Sequence, residues 1–479
     1  MKLILRYLGY ILILSSILHI IPITTGLIYQ ENIDTFIITF LLSITLGAML
    51  IGITQITEYK KTSLTLTKGL TLITLSFIFL PLITSINYLP YFNYYFLDAF
   101  FESISGFTTT GLTVFTSLKD LPKSMLIWRA ETQWIGGIGI IMVFLFIFSK
   151  IQDMKRGEAK SSPNPALLLY KAQGFETKLE SGIFRASTRI LTIYGFFTLM
   201  GIILLYLVGL PVFDAIAMTF TSLSTGGFSV NNTFYSNTLQ LIALSILMII
   251  GSTSFLTHNK LIRKKITELL KDYQLRTFLT LLIISIIFCF LAYTNFRTVT
   301  FTLISAFTTT GFTIVDVSGL PYFFIGVVTI GMVIGGSIMS TAGGIKIVRF
   351  LTLFKSITWF LKKLASPIRA IIPFKIDDKP VEKEDRLIIQ TFFFTYILIL
   401  VLGSLTFLYL GYNFQNSIFQ LTSALGTVGL TTMPLHNLPW IGKTVLIAAM
   451  LLGRLEIFPL LIVLRNFTIW IFKPLAKKT

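Results

Sequence analysis

The chain contains the stretch Thr308-Thr309-Thr310-Gly311-Phe312-Thr313, and three other stretches of its 479 residues end in the same way. Each has a run rich in hydroxyl groups, then a glycine, then Leu or Phe, then Ser or Thr. In chain order the other three are Thr108-Thr109-Thr110-Gly111-Leu112-Thr113, Ser224-Thr225-Gly226-Gly227-Phe228-Ser229 and Gly426-Thr427-Val428-Gly429-Leu430-Thr431. We call residues 108–111, 224–227, 308–311 and 426–429 the first to fourth strips. The fourth departs most from the pattern, because Val428 replaces a threonine.

A residue with a side-chain oxygen stands thirteen positions before each repeated glycine. These residues are Asp98, Asp214, Thr298 and Asn416. Such side chains cap helix N-termini, so the spacing predicts a capped helix of roughly two turns before each strip. A pore helix followed by a backbone-carbonyl ion filter has this form. The alternative is that the strips only connect or pack membrane helices, and four copies at one spacing favour the pore.

The composition is that of a membrane protein. Hydrophobic residues make up 54% of the chain, aromatic residues 14%, and the mean hydropathy is +0.81. Apolar stretches of about 20 residues, the length that crosses the hydrocarbon core of a bilayer, recur ten times. We therefore expect an all-α polytopic protein in a lipid bilayer. The first apolar run, residues 3–29, is expected to remain as a helix because it lacks a small-residue cleavage site.

The charge distribution predicts the orientation. The chain has 39 basic and 21 acidic residues, a net charge of +18, and the basic residues fall mainly in alternate connections between spans. The connections that hold the strips carry few basic residues, among them Arg129 and Lys443. Under the positive-inside rule, both termini of this multi-pass plasma-membrane protein are expected in the cytoplasm, with the strips opening outward.

Two other classes of function are disfavoured by the sequence. Nucleic-acid binding would need the basic clusters to share one soluble domain, and they are instead dispersed between spans. An enzyme or an organic-solute carrier would need clustered acidic, histidine or nucleophilic residues within the spans, and we find none. We expect no enzymatic activity, no nucleic-acid partner and no organic cofactor.

The predicted architecture has two leading helices and four helix–pore-helix–filter–helix repeats around a pseudo-fourfold pore. The expected boundaries are 1–59 for the leading helices and 60–184, 185–273, 274–385 and 386–479 for the repeats. The first and third repeats include cytoplasmic linkers, and the fourth includes a cytoplasmic tail. Main-chain carbonyls facing lipid cost several kcal/mol each, so the four strips must converge on one axis. There their carbonyls could replace the hydration shell of a monovalent cation.

Three further stretches, together with the strips, carry a family resemblance. They are Gln133-Trp134-Ile135-Gly136-Gly137-Ile138-Gly139-Ile140-Ile141, Gly335-Gly336-Ser337-Ile338-Met339-Ser340-Thr341-Ala342-Gly343-Gly344-Ile345-Lys346 and Met450-Leu451-Leu452-Gly453-Arg454-Leu455-Glu456-Ile457-Phe458. With them the chain resembles the Trk/Ktr/HKT superfamily of potassium transporters over nearly its whole length. The two leading helices make it most similar to the TrkH-type membrane subunit.

This resemblance implies potassium uptake through a filter that holds K+. The implied filter residues are Thr108, Thr109, Thr110, Gly111, Ser224, Thr225, Gly226, Gly227, Thr308, Thr309, Thr310, Gly311, Gly426, Thr427, Val428 and Gly429. In related plant transporters a serine at the position of Gly111 goes with sodium preference, so glycine implies potassium. A sodium-coupled, Ktr-like or sodium-permeable transporter of the same fold remains the alternative. The resemblance also implies a homodimer and a cytoplasmic, nucleotide-binding, TrkA-like regulatory subunit.

The resemblance further implies an intramembrane gating loop in the third repeat. The implied gating residues are Gly335, Gly336, Ser340, Gly343, Gly344, Lys346 and Arg454. Glycine and serine leave the helical ladder at little steric cost, which suits a movable segment. A tightly packed helix crossing at the loop and a structural role for Arg454 are the alternatives. Glu456 is not expected to pair with Arg454, and the roles of Glu102 and Glu131 stay open.

Overall fold

The described part of the chain is mainly α-helical. The structure, a computed structural model, describes residues 2–56, 66–155, 183–231, 235, 237–262, 267, 271–367, 370–377 and 379–472. We number the helices of these residues in chain order: α1 (Lys2–Ser16), α2 (Ile20–Tyr29), α3 (Asp34–Ile56), α4 (Leu66–Thr84), α5 (Phe96–Phe107), α6 (Lys123–Lys155), α7 (Ile183–Leu207), α8 (Val212–Leu223), α9 (Thr238–Ser252), α10 (Phe255–Ile262), α11 (Tyr273–Ala292), α12 (Phe296–Phe307), α13 (Tyr322–Ile334), α14 (Ile347–Leu364), α15 (Lys383–Tyr409), α16 (Phe414–Leu425), α17 (Trp440–Arg454) and α18 (Phe458–Phe472). Two short strands, β1 (Lys375–Ile376) and β2 (Lys379–Pro380), pair antiparallel.

Six helical stretches of the described chain are long and apolar enough to cross a membrane. They are Lys2–Tyr29, Asp34–Gln55, Thr67–Phe92, Ser187–Leu207, Tyr273–Ala292 and Lys383–Tyr409. Each coincides with a span that the sequence predicts. The expectation of a multi-pass α-helical membrane protein is therefore confirmed.

Two further apolar stretches are bent, one at the end of the span expected over residues 239–255 and the other near the middle of the span expected over residues 445–471. Helices α9 and α10 meet at 110°, and α17 and α18 meet at 111°. The second bend lies at Glu456 and Ile457, whose φ angles of 56° and 64° are left-handed. Hydropathy measures the length of an apolar run but does not show a turn within it. The interruption that the sequence predicts between α13 and α14 is present, whereas α6 is unbroken over 33 residues.

The four repeats form a closed ring. Each consists of an entering helix, a short pore helix and a returning helix: α4-α5-α6, α7-α8-α9, α11-α12-α13 and α15-α16-α17. The returning helix of each repeat packs on the pore helix of the next, so that α6 contacts α8, α9 contacts α12, α13 contacts α16, and α17 contacts α5. The last of these contacts joins the fourth repeat to the first. The predicted arrangement of four repeats is therefore observed.

The remaining elements lie outside this ring. Helix α1 packs on α3 and α4, α2 packs on α6, and α18 packs on α4. The cytoplasmic linker expected in the third repeat spans residues 366–386. It contains the β1–β2 hairpin, and its last residues are helical because α15 begins at Lys383. Most of the other predicted linker, residues 150–180, lies outside the described residues.

Candidate functional site

All four pore helices end in the same backbone motif. At the first strip, the N–H of Thr109 donates to the carbonyl of Gly106 (3.0 Å) and that of Thr110 to the carbonyl of Ser105 (2.9 Å). This is a Schellman motif, in which the left-handed position is usually glycine. Here it is a threonine in every strip, with φ between 50° and 56°: Thr109, Thr225, Thr309 and Thr427. A β-branched residue in this conformation is strained, by roughly 1–3 kcal/mol, and the surrounding packing must hold it.

The predicted helix caps are placed one turn too late. The N-cap residues are Tyr95, Pro211, Asn295 and Asn413. The side chains of Asn295 and Asn413 accept hydrogen bonds from the main-chain N–H of Thr298 and Asn416, the residues predicted as caps. Asp98 and Asp214 lie in the first helical turn, where a carboxylate still interacts favourably with the helix dipole.

The repeated glycines bring the four strips into contact around one centre. Their φ angles lie between 80° and 100°, in the left-handed region. A Cβ atom on Gly111, Gly227, Gly311 or Gly429 would overlap the carbonyl oxygen of Gly226, Thr310, Val428 or Thr110, respectively. Each glycine thus abuts the next strip, and the fourth abuts the first. A side chain at any of the four would break this ring.

The glycines are also the points at which the strips meet open space. The residues that precede them in each strip are buried, whereas all four glycines are partly exposed. A cavity of about 580 Å³, which we call the vestibule, is lined by three of these glycines and by residues that follow them. Polar residues of its wall include Thr113, Arg129, Ser229, Thr313 and Asp316. The strips therefore open into a wide, partly polar space.

Right-handed and left-handed backbone conformations alternate along each strip. At the first strip φ is −82° at Thr108 and +53° at Thr109, and it returns to +82° at Gly111 after Thr110. Residues of alternating right-handed and left-handed conformation turn successive peptide groups towards a common side, whereas a regular strand turns them to opposite sides. Such strips can offer rows of main-chain oxygens, which are suitable ligands for a dehydrated monovalent cation.

The predicted gating loop lies against the residues that precede the glycines, opposite the vestibule. The N–H of Gly343 donates to Thr309 Oγ1 (2.7 Å), and that of Gly344 donates to the carbonyl of Gly426 (3.1 Å). Thr341 Oγ1 donates to the carbonyl of Leu223 (3.0 Å), the residue before the second strip. Thr341 Oγ1 also lies 3.4 Å from Thr225 Oγ1 of the second strip. The loop thus contacts the second, third and fourth strips at once. It therefore lies beneath these strips, on the side away from the vestibule.

The loop is closed on itself and buried. The φ angles of Gly335 and Gly344 are 68° and 73°, and a Cβ on Gly335 would overlap the carbonyl of Gly343. A Cβ on Gly336 would lie 2.9 Å from the carbonyl oxygen of Ser252. Ser340 Oγ donates to the carbonyl of Ser337 (2.7 Å). The glycines therefore allow two layers of backbone to pack without intervening side chains.

Arg454 joins the loop to the first repeat. It ends α17 beside the bend, and its side chain is buried. Its Nη1 donates to the carbonyl of Thr341 (2.8 Å), and its Nη2 donates to the carbonyls of Gly136 (2.5 Å) and Gly137 (2.9 Å) on α6. These are charge-assisted bonds, the stronger kind. They are the contacts that a latch between the loop and α6 would need.

Two more cations lie at the end of the loop. Lys346 is buried with φ 80°, and its Nζ donates to the carbonyl of Ala342 within the loop. Arg349, in the first turn of α14, forms an ion pair with Glu456 (2.5 Å). Glu456 is thus paired with Arg349 rather than with Arg454. The bend between α17 and α18 and the start of α14 are joined by this pair.

A buried ion pair borders the vestibule. Glu102 on α5 accepts hydrogen bonds from the hydroxyl of Thr113 and the N–H of Val114 (2.8 Å), and its other oxygen lies 3.6 Å from Arg129 on α6. The Arg129 guanidinium stacks 3.9 Å from the ring centre of Phe228, next to the second strip. The sequence prediction that treated Arg129 as a loop charge is therefore wrong.

Other charged residues that the sequence singles out also lie on helices of the ring. Lys443, the second basic residue expected in a loop, is buried on α17 and pairs with Asp98 (2.5 Å). Asp214 accepts hydrogen bonds from Asn231 (3.0 Å) and Tyr235 (2.8 Å). Glu131 is buried on α6, with one carboxylate oxygen that has no hydrogen-bond partner in the described part of the chain.

A comparison with protein families places the chain in a family. The family model TrkH, described as a cation transport protein, matches residues 33–304 and 292–468. The chain belongs to the TrkH family. This result confirms the resemblance that the strips and the three further motifs carry, and with it the TrkH type.

Individual relatives of this TrkH-family chain agree. An uncharacterized cation transporter of Methanocaldococcus jannaschii is 34% identical, over 96% of this chain and 94% of its own length. The Trk system potassium uptake protein TrkH of Salmonella typhimurium is 28% identical, over 97% of this chain and 98% of its own. The crystal structure of the potassium transporter TrkH from Vibrio parahaemolyticus superposes with a TM-score of 0.84 at 27% identity, covering 97% and 98% of the two chains. All three are named as transporters, as the sequence predicts, and none as an enzyme.

Proposed function

We propose that this TrkH-family chain takes up K+ across the cell membrane through a pore at the centre of its four repeats. The observation that carries the proposal is the closed ring of glycines, each abutting a carbonyl of the neighbouring strip. A K+ ion that leaves water needs a cage of oxygen ligands, and main-chain carbonyls of the four strips would supply it. The names of the Salmonella and Vibrio relatives support K+ as the ion.

The geometry of the strips would select among cations, and the charge at the ends of the pore helices would favour cations over anions. All four helices end at the strips, so their C-terminal partial negative charges would add to the attraction for a cation. The four strained threonines make the ring costly to deform, which favours one ring size. A glycine at Gly111 accords with K+ rather than Na+, as the family resemblance implies.

The 335–346 loop would act as the gate. It contacts the second, third and fourth strips, and Arg454 joins it to α6 of the first repeat through the carbonyls of Gly136 and Gly137. K+ that has passed the ring would meet this plug, so conduction requires the loop to move. Breaking three charge-assisted bonds of one arginine is a cost that a regulatory subunit could offset.

The remaining parts of the proposal concern assembly and orientation. The chain would act as a homodimer in the plasma membrane, with both termini in the cytoplasm and the vestibule on the outer face. A nucleotide-binding, TrkA-like subunit would bind the cytoplasmic surface and bias the loop. Helix α14 begins directly after the loop and would transmit a movement of the loop to that surface.

Ion flux into proteoliposomes tests the proposal. The full-length chain is reconstituted into proteoliposomes loaded with K+, so that the outward K+ gradient drives uptake of external ⁸⁶Rb+. This uptake is measured with K+ or Na+ as the external competitor. We expect K+ to compete strongly and Na+ weakly, and growth of a potassium-uptake-deficient cell at low external K+ should be rescued best with a co-expressed regulatory subunit. Equal competition by Na+ would instead support the sodium-permeable alternative. Absence of any cation flux would refute the pore.

A further inference from the structure

The second strip is held differently from the other three. Gln133 of α6 is fully buried, its Nε2 donates to the carbonyl of Gly226 (2.6 Å), and its Oε1 accepts from the N–H of Phe228 (3.0 Å). A carbonyl can only accept and an N–H can only donate, so both ends of the amide are fixed. The side chain therefore grips the peptide groups on both sides of Gly227.

Gly226 is a glycine for reasons of space and not of backbone conformation. It is absent from the residues with positive φ, so any amino acid could adopt its backbone. A Cβ on Gly226 would instead overlap the amide of Gln133. At the same position the other strips carry the side chains of Thr110, Thr310 and Val428. The amide of Gln133 thus occupies the room that those side chains fill elsewhere.

The first and third strips have an internal brace that the second lacks. The hydroxyls of Thr108 and Thr110 lie 2.8 Å apart, and those of Thr308 and Thr310 lie 2.8 Å apart. In the second strip the corresponding residues are Ser224 and Gly226, and the glycine has no hydroxyl to offer. The two hydrogen bonds of Gln133 replace the missing brace.

The chain's own repeats show that this arrangement is a matched pair. Gly136, Gly251, Gly331 and Gly453 of the returning helices each approach the end of their own pore helix. Three residues before these glycines stand Gln133, Met248, Val328 and Met450. The three others are buried and apolar, and the strips that follow in the ring carry a side chain where the second strip has Gly226.

We propose that Gln133 is a positioning residue that sets the selectivity of the ion pathway by fixing the second strip at Gly227. The proposal rests on the proposed function, because it assigns a role in the same ring. Gln133 does not contact the ion in this account. It acts through the main chain of residues 226–228, which it holds at the distance that the neighbouring strips require.

Three variants test the role of Gln133. Gln133→Met removes both hydrogen bonds while keeping a side chain that the equivalent positions of α9 and α17 already accept. We expect about a tenfold loss of K+ over Na+ discrimination, since two buried hydrogen bonds to the strip are lost. Gly226→Thr alone should lose discrimination or flux, because its side chain would overlap Gln133.

The double variant Gln133→Met/Gly226→Thr is the decisive one. It gives the second strip the same pair of residues as Met248 with Thr310, and it allows Ser224 to bond a threonine hydroxyl. We expect discrimination to recover towards the wild-type value, which a purely additive pair of defects would not do. Met248→Leu, a volume-conserving change at an equivalent position, should leave discrimination unchanged.

The measurement is competition of K+ and Na+ with ⁸⁶Rb+ flux in proteoliposomes, on variants that elute as the wild type does in size-exclusion chromatography. Wild-type discrimination in Gln133→Met, or a double variant worse than both single ones, would overturn the role of Gln133 and leave the pore intact. If the wild-type chain showed no selective cation flux, the proposed function itself would be refuted. If Gln133→Met fails to elute normally, recovery of folding and discrimination in the double variant still supports the pairing, and its failure overturns it.

Discussion

A serine at Gly311 should lower K+ selectivity through a steric overlap in the ring, in addition to any backbone strain. Gly311 has φ 88°, and its Cβ would overlap the carbonyl oxygen of Val428. Gly411, just after α15, has φ 90°, but no atom lies within 4 Å of its Cβ position. Serine at either site therefore carries the same conformational strain, roughly 1–2 kcal/mol. Only Gly311→Ser must also displace a carbonyl of the ring.

The size of the additional effect follows from the geometry. To restore van der Waals contact, the Val428 carbonyl must move by about 1.5 Å. Losing one well-placed oxygen from a cation is comparable to losing a hydrogen bond to a charged group, about 1.5–3 kcal/mol. Each 1.4 kcal/mol corresponds to about a factor of ten in relative binding. We therefore expect the K+ to Na+ permeability ratio of Gly311→Ser to fall about tenfold or more.

Two measurements on both purified variants separate backbone strain from displacement of the carbonyl. They are the permeability ratio from proteoliposome flux and the thermal unfolding temperature. Gly411→Ser should show the lower thermal stability alone, with a wild-type permeability ratio. If Gly311→Ser kept the wild-type ratio, or if both variants lost selectivity equally, the assignment of this glycine to the ion pathway would be wrong.

Three further predictions concern the loop and the vestibule. Arg454→Gln keeps a hydrogen-bond donor but removes the charge that ties Thr341 to α6, so K+ flux without a regulatory subunit should rise several-fold; unchanged or reduced flux in a properly inserted protein would contradict the latch. Shortening the segment 337–343 should raise flux as well, and an inserted but silent deletion would count against a gating role. Glu102→Gln retains the acceptor for Thr113 but leaves the charge of Arg129 unbalanced beside the vestibule, so half-saturating external K+ should rise about tenfold. Glu102→Gln/Arg129→Gln should reverse that rise, and equal uptake by single and double variants would show that the charge does not matter.

The sequence predicts the ring well because membrane physics leaves few alternatives. Four strips of irregular backbone cannot face lipid, so their convergence follows from their number and spacing. The same reasoning predicts the break at 335–346, since so many glycines and serines do not sustain a helix. The strained threonines, Thr109 and its three counterparts, could also have been found, because only they and the glycines are invariant among the strips.

The caps and bends were missed for local reasons. A polar residue in the first turn of a helix resembles a cap in sequence, and two of the true N-cap residues, Tyr95 and Pro211, give no such signal. Asn295 and Asn413 do give it, three positions earlier than the residues chosen. Hydropathy cannot show the bend at Glu456, because the residues on both sides of it are apolar.

The buried charges were misassigned because their partners are distant in the sequence. Lys443 pairs with Asp98, which lies 345 positions earlier, and only the closure of the ring brings them together. A signal was nevertheless present. Asp98 and Glu102 lie one turn apart on a helix predicted within the membrane, and carboxylates there require cationic partners. The role proposed for Gln133 could not be read from the sequence, since it depends on which strip its helix reaches.

The most direct measurement of the central claim is the position of a heavy K+ analogue in the protein. Crystals or vitrified particles of the full-length chain are prepared with Rb+ or Tl+ replacing K+, and the ion is located by anomalous scattering or by difference density against a Na+ preparation. The account predicts density on the axis of the ring, within coordination distance of main-chain oxygens from all four strips. Density that is absent from this axis, or that is equally strong with Na+, would contradict it.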